Sequence, residues 1–196
     1  EKAAYADSVY LDAVNRGDME TAQRMVDEAA KKAGYTVKGL HATNAEFTVF
    51  DINKTSEYNF HGKGIYFTNS VRDVENNYEN YEGPDPWQKI EGRAYELAYD
   101  KYGISYEDTL TSDSEIIDKL NECYDIAIDE FKKSGRRITA YLRFDNPLIL
   151  EKGMQIPNDY AGYDGIIDKQ VYENIGHSGM DENTIHYVVF NPNNIK

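Results

Sequence analysis

One cysteine, one tryptophan and five prolines among 196 residues leave this chain little to staple or stiffen it. The lone Cys123 excludes an internal disulfide and suits a reducing compartment. It falls in a helical pattern without reactive neighbours, so a structural thiol is expected. No apolar run is long enough to cross a bilayer and no signal peptide is visible, so no membrane partner is expected. The four histidines are scattered, with neither an H-E-x-x-H motif nor a Cys–His cluster, so no metal is expected. Positive charge is also scarce: 21 Lys and Arg face 35 Asp and Glu, for a net charge of −14. Such a surface repels nucleic-acid phosphates, which argues against general nucleic-acid binding. Solubility is the simplest use of that acidity, and a basic partner is the sharper one. Gly62-Lys63-Gly64 lacks phosphate-loop spacing, and no G-x-G-x-x-G stands at a strand-to-helix turn. Gly176-His177-Ser178-Gly179 hints at a nucleophile elbow, but Met180 sits where the closing glycine belongs, so a polar loop is expected.

Hydrophobic residues make up 40% of the chain and aromatics 13%, including 17 tyrosines, which is enough apolar surface for a folded core. Tyrosine also suits half-wet clefts, where the ring is buried and the hydroxyl finds a partner. The length fits one domain with a helical appendage. Residues 7–33 read as two helices, the second capped by Asp18, with an apolar face of Ala22, Met25, Val26, Ala29 and Ala33 expected to pack on the core. Short strands are expected over Val37 to Thr43, Phe47 to Phe50 and Gly64 to Thr68. Ser70 is a candidate cap for a helix running to about Tyr81. Gly83-Pro84-Asp85-Pro86 reads as a break. Helical spacing returns from about Gln88 to Tyr102 and from Asp113 to Lys133, around a polar stretch at Asp108 to Ser112. Ile138 to Phe144, Tyr163 to Ile167 and Tyr187 to Phe190 read as strands, and Lys169 to Asn183 as loop. Short strands among longer helices, without βαβ alternation, predict an α+β fold.

The run Gly62-Lys63-Gly64-Ile65-Tyr66-Phe67, followed by Tyr78, resembles the second signature of poly(ADP-ribose) polymerases and diphtheria-toxin-like ADP-ribosyltransferases. Glu75 stands where that pattern has a serine, and the two tyrosines are about one residue further apart than it has them. Leu40-His41-Ala42-Thr43 resembles the first signature, H-G-[ST], with alanine for glycine. His186-Tyr187-Val188-Val189-Phe190 resembles the third, with histidine in place of the catalytic glutamate. The whole chain is more similar still to transferase domains of the large polyvalent proteins of phages and mobile elements. Gly17-Asp18-Met19-Glu20-Thr21-Ala22-Gln23, Tyr141-Leu142-Arg143-Phe144-Asp145-Asn146-Pro147-Leu148 and Tyr163-Asp164-Gly165-Ile166-Ile167 carry that likeness.

The resemblance implies a split β-sheet core with an N-terminal helical segment and a helical insertion: a leader over 1–34 packed on an NAD-binding domain over 35–196. It implies NAD+ as substrate, cleaved at the nicotinamide–ribose bond, and mono-transfer of ADP-ribose to a macromolecular acceptor, expected to be protein. Tyr66 and Tyr78 would flank the cationic nicotinamide, where aromatic faces attract a cation. His41 would hydrogen-bond a ribose hydroxyl, Thr43 the adenosine-side ribose, and the main chain at Ala42 the carboxamide. Gly64 would let the backbone approach the ligand. His186 takes the catalytic position, and Glu182 in the preceding loop is the candidate source of the missing negative charge. Tyr172 to Asn183 is the region expected to meet the acceptor. A phage-borne effector or toxin of this kind would be a monomer acting in bacterial cytoplasm, with an immunity protein as a candidate partner. The chain opens on Glu1, as expected of a fragment. The alternatives are a catalytically silent NAD-binding or protein-interaction module, suggested by His186, and an NAD+ glycohydrolase.

Overall fold

A computed structural model describes residues 2–110 and 113–196, with the side chains of 2–7 and 134 outside the description. Among the described residues, six α-helices and six strands build a mixed α+β structure around one six-stranded sheet. Helices α1 (Lys2–Asn15) and α2 (Met19–Lys32) come first. Asp18 caps α2 by accepting the Thr21 N–H at 3.1 Å, as its position predicts. The apolar face of α2 departs from expectation: only Ala22 is buried, while Val26 is 36% exposed. The helix meets the sheet instead through polar groups, with Gln23 donating to the Tyr141 hydroxyl and that hydroxyl donating to Asp27.

The strands are β1 (Val37–Thr43), β2 (Ile65–Thr68), β3 (Arg136–Leu142), β4 (Pro147–Leu150), β5 (Gly165–Asp168) and β6 (His186–Val189), ordered β3-β1-β2-β6-β5-β4. Only β4 and β5 run parallel. Strand β1 pairs along its whole length with β3, and β2 along its whole length with β6. Between β1 and β2 the pairing is a single register pair, Leu40 with Thr68. The sheet is therefore continuous but narrowly joined at its middle, and beyond Leu40 an edge of β1 is left uncovered.

Two apolar clusters cover the two faces of the sheet. Ile65, Phe67, Ala140, Leu142, Tyr187 and Val189 form one, and Leu148, Leu150, Ile166 and Val188 the other. The alternation along β6, with Tyr187 and Val189 on one side and Val188 on the other, is the period-two pattern of a strand buried on both faces. A third core lies away from the sheet, where α4 (Pro84–Tyr102) packs against α5 (Ser114–Ser134) through Ile90, Ala94, Ala98, Cys123, Ala127 and Phe131. Cys123 is fully enclosed there, and burial pushes its thiol up. No helix among the described residues is long and apolar enough to cross a membrane.

Several local expectations are corrected. Phe47 to Phe50 is loop rather than strand. Its aromatics instead gather around β1, with Phe50 edge-on to His41 and Phe67. Gly83-Pro84-Asp85-Pro86 does not break the chain but starts α4, where a proline in the first turn forfeits no helical hydrogen bond. Pro147 opens β4 at the edge of the sheet, a position where its missing N–H costs nothing. Val171–Asn174 forms a single helical turn, α6, inside the expected loop. Of the polar stretch at Asp108 to Ser112, the first three residues form a 3-10 turn, and Thr111 and Ser112 lie outside the described residues.

Candidate functional site

The narrow joint between β1 and β2 opens into a cavity of about 1040 Å³. It is lined by His41, Ala42 and Thr43 from β1, Gly64 and Tyr66 at β2, Tyr78 from the connection that follows, and His186 at the start of β6. Seven of the eight residues singled out in the sequence thus meet in one crevice. Glu182 does not. It is 75% exposed, faces Lys152 at 3.8 Å, and is held outward by a turn in which Asp181 and Thr184 bond each other and Asp181 also accepts the Asn183 N–H.

His41 is fixed by one bond that also settles its tautomer. Its Nδ1 lies 2.8 Å from the Tyr66 carbonyl, which can only accept, so Nδ1 carries the proton. Burial pushes the ring's pKa below its usual value, against the effect of that hydrogen bond, with Lys89 lowering it further and Asp85 opposing. In the neutral ring Nε2 is then an acceptor, suited to a hydroxyl. The Thr43 hydroxyl accepts the Ala45 N–H at 3.1 Å, which turns the chain out of β1 at the cavity rim.

Tyr66 and Tyr78 are both half-buried, and burial pushes both phenols up, so they stay neutral. No ring–ring contact joins them among the described residues, although both line the cavity. The Tyr66 hydroxyl is occupied: it donates to Gly62 O and accepts the His61 N–H, each at 2.9 Å. Tyr78 is delivered by a π turn over Glu75–Glu79 that follows the short helix α3 (Val71–Val74). Its wider i→i+5 winding takes up an extra residue, which accommodates the longer spacing between the two tyrosines. Arg137 on β3 clamps the turn from outside, reaching Glu79 at 2.5 Å and Glu75 at 2.9 Å. Glu75, at the serine position of the resembled signature, therefore serves a structural bond.

Gly64 also has a packing role. A Cβ there would stand 2.3 Å from Val188 Cγ1, so the glycine is required by close packing of β2 on β6.

The residue that the sequence reading missed is Asp73. Its Oδ2 lies 2.8 Å from His186 Nε2, and its Oδ1 accepts Asn77 Nδ2 at 2.8 Å. Burial pushes the Asp73 carboxyl up, but hydrogen bonds and charge from His186, with Thr68 and Asn77, outweigh that and hold it below the usual carboxylate range. As an ionised carboxylate it can only accept, so His186 donates through Nε2 and, in the neutral ring, presents Nδ1 as an acceptor. No hydrogen bond to that Nδ1 occurs among the described residues. The Tyr78 ring is tilted beside it, centroids 6.5 Å apart. Ser70, read as a helix cap, does accept the Asp73 N–H at 3.2 Å, so the cap that positions Asp73 was visible while its distant partner was not.

A second buried pair stands nearby. His61 Nε2 lies 2.8 Å from Asp168 Oδ2, and its Nδ1 lies 3.0 Å from the Tyr160 hydroxyl. Asp168 is the cross-strand partner of His186, so the two histidine–aspartate pairs sit side by side on the sheet. His61 and Tyr160 line a smaller, separate cavity of about 600 Å³. Against protein-family models, curated proteins and solved structures, the chain finds no match.

Proposed function

We propose that this protein is a mono-ADP-ribosyltransferase domain that cleaves NAD+ at the nicotinamide–ribose bond and passes ADP-ribose to a macromolecular acceptor. One observation carries the reading: His41, Tyr66, Tyr78 and His186, drawn from four separated segments, line a single cavity. The narrow β1–β2 joint that opens this cavity is what a split-sheet transferase core requires. Tyr66 and Tyr78 receive the pyridinium ring, and neutral phenols attract its positive charge through their faces. His41 Nε2 accepts a ribose hydroxyl, and its depressed pKa keeps a second cation away from the nicotinamide. The uncovered main chain at Ala42 offers its N–H and C=O to the carboxamide. The Thr43 hydroxyl faces the adenosine-side ribose.

Loss of nicotinamide builds positive charge on the ribose, and preorganised electrostatics at such a centre are worth about 3–4 kcal/mol per group. In place of the glutamate, the anion comes from Asp73, one imidazole behind His186. The acceptor approaches past Tyr172 to Asn183. The setting remains that of a phage- or mobile-element effector acting in bacterial cytoplasm. A catalytically silent NAD-binding module is the second reading, favoured by the histidine that opens β6.

Labelled NAD+ incubated with the intact chain and a bacterial lysate tests both readings. Free nicotinamide together with macromolecular label supports transfer. Nicotinamide with free ADP-ribose supports a glycohydrolase. NAD+ binding with neither product makes the domain silent.

A further inference from the structure

Resting on the transferase reading, we propose that the Asp73–His186 pair is a general base and that the acceptor is a neutral O–H group, either a macromolecular hydroxyl or water. A carboxylate acceptor arrives already anionic and needs no base. A hydroxyl must lose its proton as it attacks, and His186 is arranged to take it. Nε2 donates to the buried Asp73 at 2.8 Å, which leaves Nδ1, unengaged among the described residues, as the proton acceptor of a ring that lines the cavity. Asp73 is itself fixed from the other side by Asn77, which also donates to Ser178 O at 2.8 Å. The pair therefore has both the anion that stabilises a protonated imidazole and the second-layer bonds that aim it.

The other carboxylates lining the cavity are poorly suited to this step. Asp85 is paired with Lys89 at 2.7 Å, Asp51 accepts the Asn53 N–H at 2.9 Å, and Glu46 lies on an exposed loop. In the step itself the ribose C1′–nitrogen bond breaks and its electron pair leaves with neutral nicotinamide. The acceptor oxygen forms the new bond to C1′, and its proton passes to His186 Nδ1. Ring protonation is matched by the Asp73 charge, so atoms and charge balance without a further reactant. His186 is the catalytic residue, and Asp73 is a positioning residue that acts through it.

The test uses the intact chain, NAD+, and four nucleophiles: water, a serine-bearing peptide, a glutamate-only peptide and sodium azide. Azide is already anionic and needs no base. With water or the peptide, Asp73→Asn is expected to lower nicotinamide release about 100-fold, the usual scale of a lost general base. NAD+ affinity is expected to stay near wild type. Azide is expected to restore most of the lost rate, giving ADP-ribosyl azide, a rescue that a merely misfolded site would not show. His186→Gln is the second variant and is expected to behave alike. Product analysis separates the two O–H sources, free ADP-ribose for water and labelled peptide for the hydroxyl. Wild-type rates in Asp73→Asn, a loss that azide does not rescue, or label on a glutamate-only peptide in preference to the serine peptide would each overturn the base. Absence of nicotinamide release from the wild-type chain with every nucleophile would overturn the transferase reading, and the base with it.

Discussion

Two buried histidine–aspartate pairs, matched in distance and in the atoms they use, differ in what surrounds the other ring nitrogen. His61 and His186 each place Nε2 at 2.8 Å from an aspartate Oδ2, and neither side chain is more than 6% exposed. At His61 the Tyr160 hydroxyl occupies Nδ1 at 3.0 Å, and Phe60 and Tyr160 stand edge-on to the ring. At His186 the neighbouring Tyr78 ring is only tilted at 6.5 Å, and the histidine lines the large cavity. A histidine whose every hydrogen bond is made within the fold is a strut. One that lines a cavity with a nitrogen unengaged among the described residues keeps a site for chemistry. The motif is the same, and the difference is the satisfaction of a single atom.

The comparison breaks most visibly in stability. Removing one partner from a buried pair leaves the other without compensation, at a cost of about 3–5 kcal/mol. His61→Ala leaves Asp168 with only the Gln170 N–H, at 2.9 Å. The expected result is a fall in thermal midpoint of roughly 10 °C, since about 2–4 °C accompanies each kcal/mol in a chain of this size. His186→Ala is expected to cost clearly less, because Asp73 keeps Asn77 and Thr68 as hydrogen-bond partners. Equal midpoints for the two variants, read by calorimetry, would erase the distinction between strut and site.

The two tyrosines sharpen it. Tyr78→Ala removes an aromatic face from the cavity and is expected to weaken NAD+ binding about tenfold, from about 1–2 kcal/mol of lost cation–π and stacking contact. Titration calorimetry measures this, and unchanged affinity would remove Tyr78 from the nicotinamide slot. Tyr160→Phe deletes only the hydroxyl on His61 Nδ1 and is expected to cost about 1 kcal/mol of stability, the scale of one buried hydrogen bond, without touching NAD+ affinity. Chemical denaturation reads the first effect and the same titration the second.

How far each pair could be read from sequence follows from the range of its contacts. His41, Tyr66 and His186 sit on strands whose motifs are contiguous, and the cavity they share follows from three short runs. Tyr78 was legible as a residue, but the π turn that brings it in was not, because α and π windings share one composition. Asp73 escaped because its partner is 113 residues away, and only the Ser70 cap beside it left a local trace. Phe47 to Phe50 misled because an aromatic run that packs over a strand has the same composition as a strand. Glu182 misled for the opposite reason: loop residues near a site in sequence are aimed by turn bonds, and those at Asp181 and Thr184 aim this one outward.

The smallest effect concerns His41, which neither pair includes. Burial depresses the pKa of His41 below its reference value of 6.5. As pH falls through that reference the unfolded chain takes up a proton that the folded chain still refuses. Unfolding therefore binds a proton in this window, and stability from His41 is complete above pH 6.5 and declines as pH drops toward the depressed folded value. Asp73 acts in a different range: its lowered pKa contributes above its reference of 3.8 and is lost only as pH falls through the folded value. The Asp73 window opens only below 3.8, so mild acid probes His41 alone of the two. Thermal midpoints measured from about pH 7.5 to about pH 5 are expected to fall in the wild type and to fall less in His41→Asn, by the linkage of proton uptake to unfolding. NAD+ affinity is expected to hold while the folded His41 stays neutral and to weaken only as pH falls through its depressed value, because a protonated His41 loses the Nε2 acceptor and sets a cation beside the pyridinium. A variant whose midpoints track the wild type throughout would show that His41 is neutral for reasons other than its burial behind Tyr66.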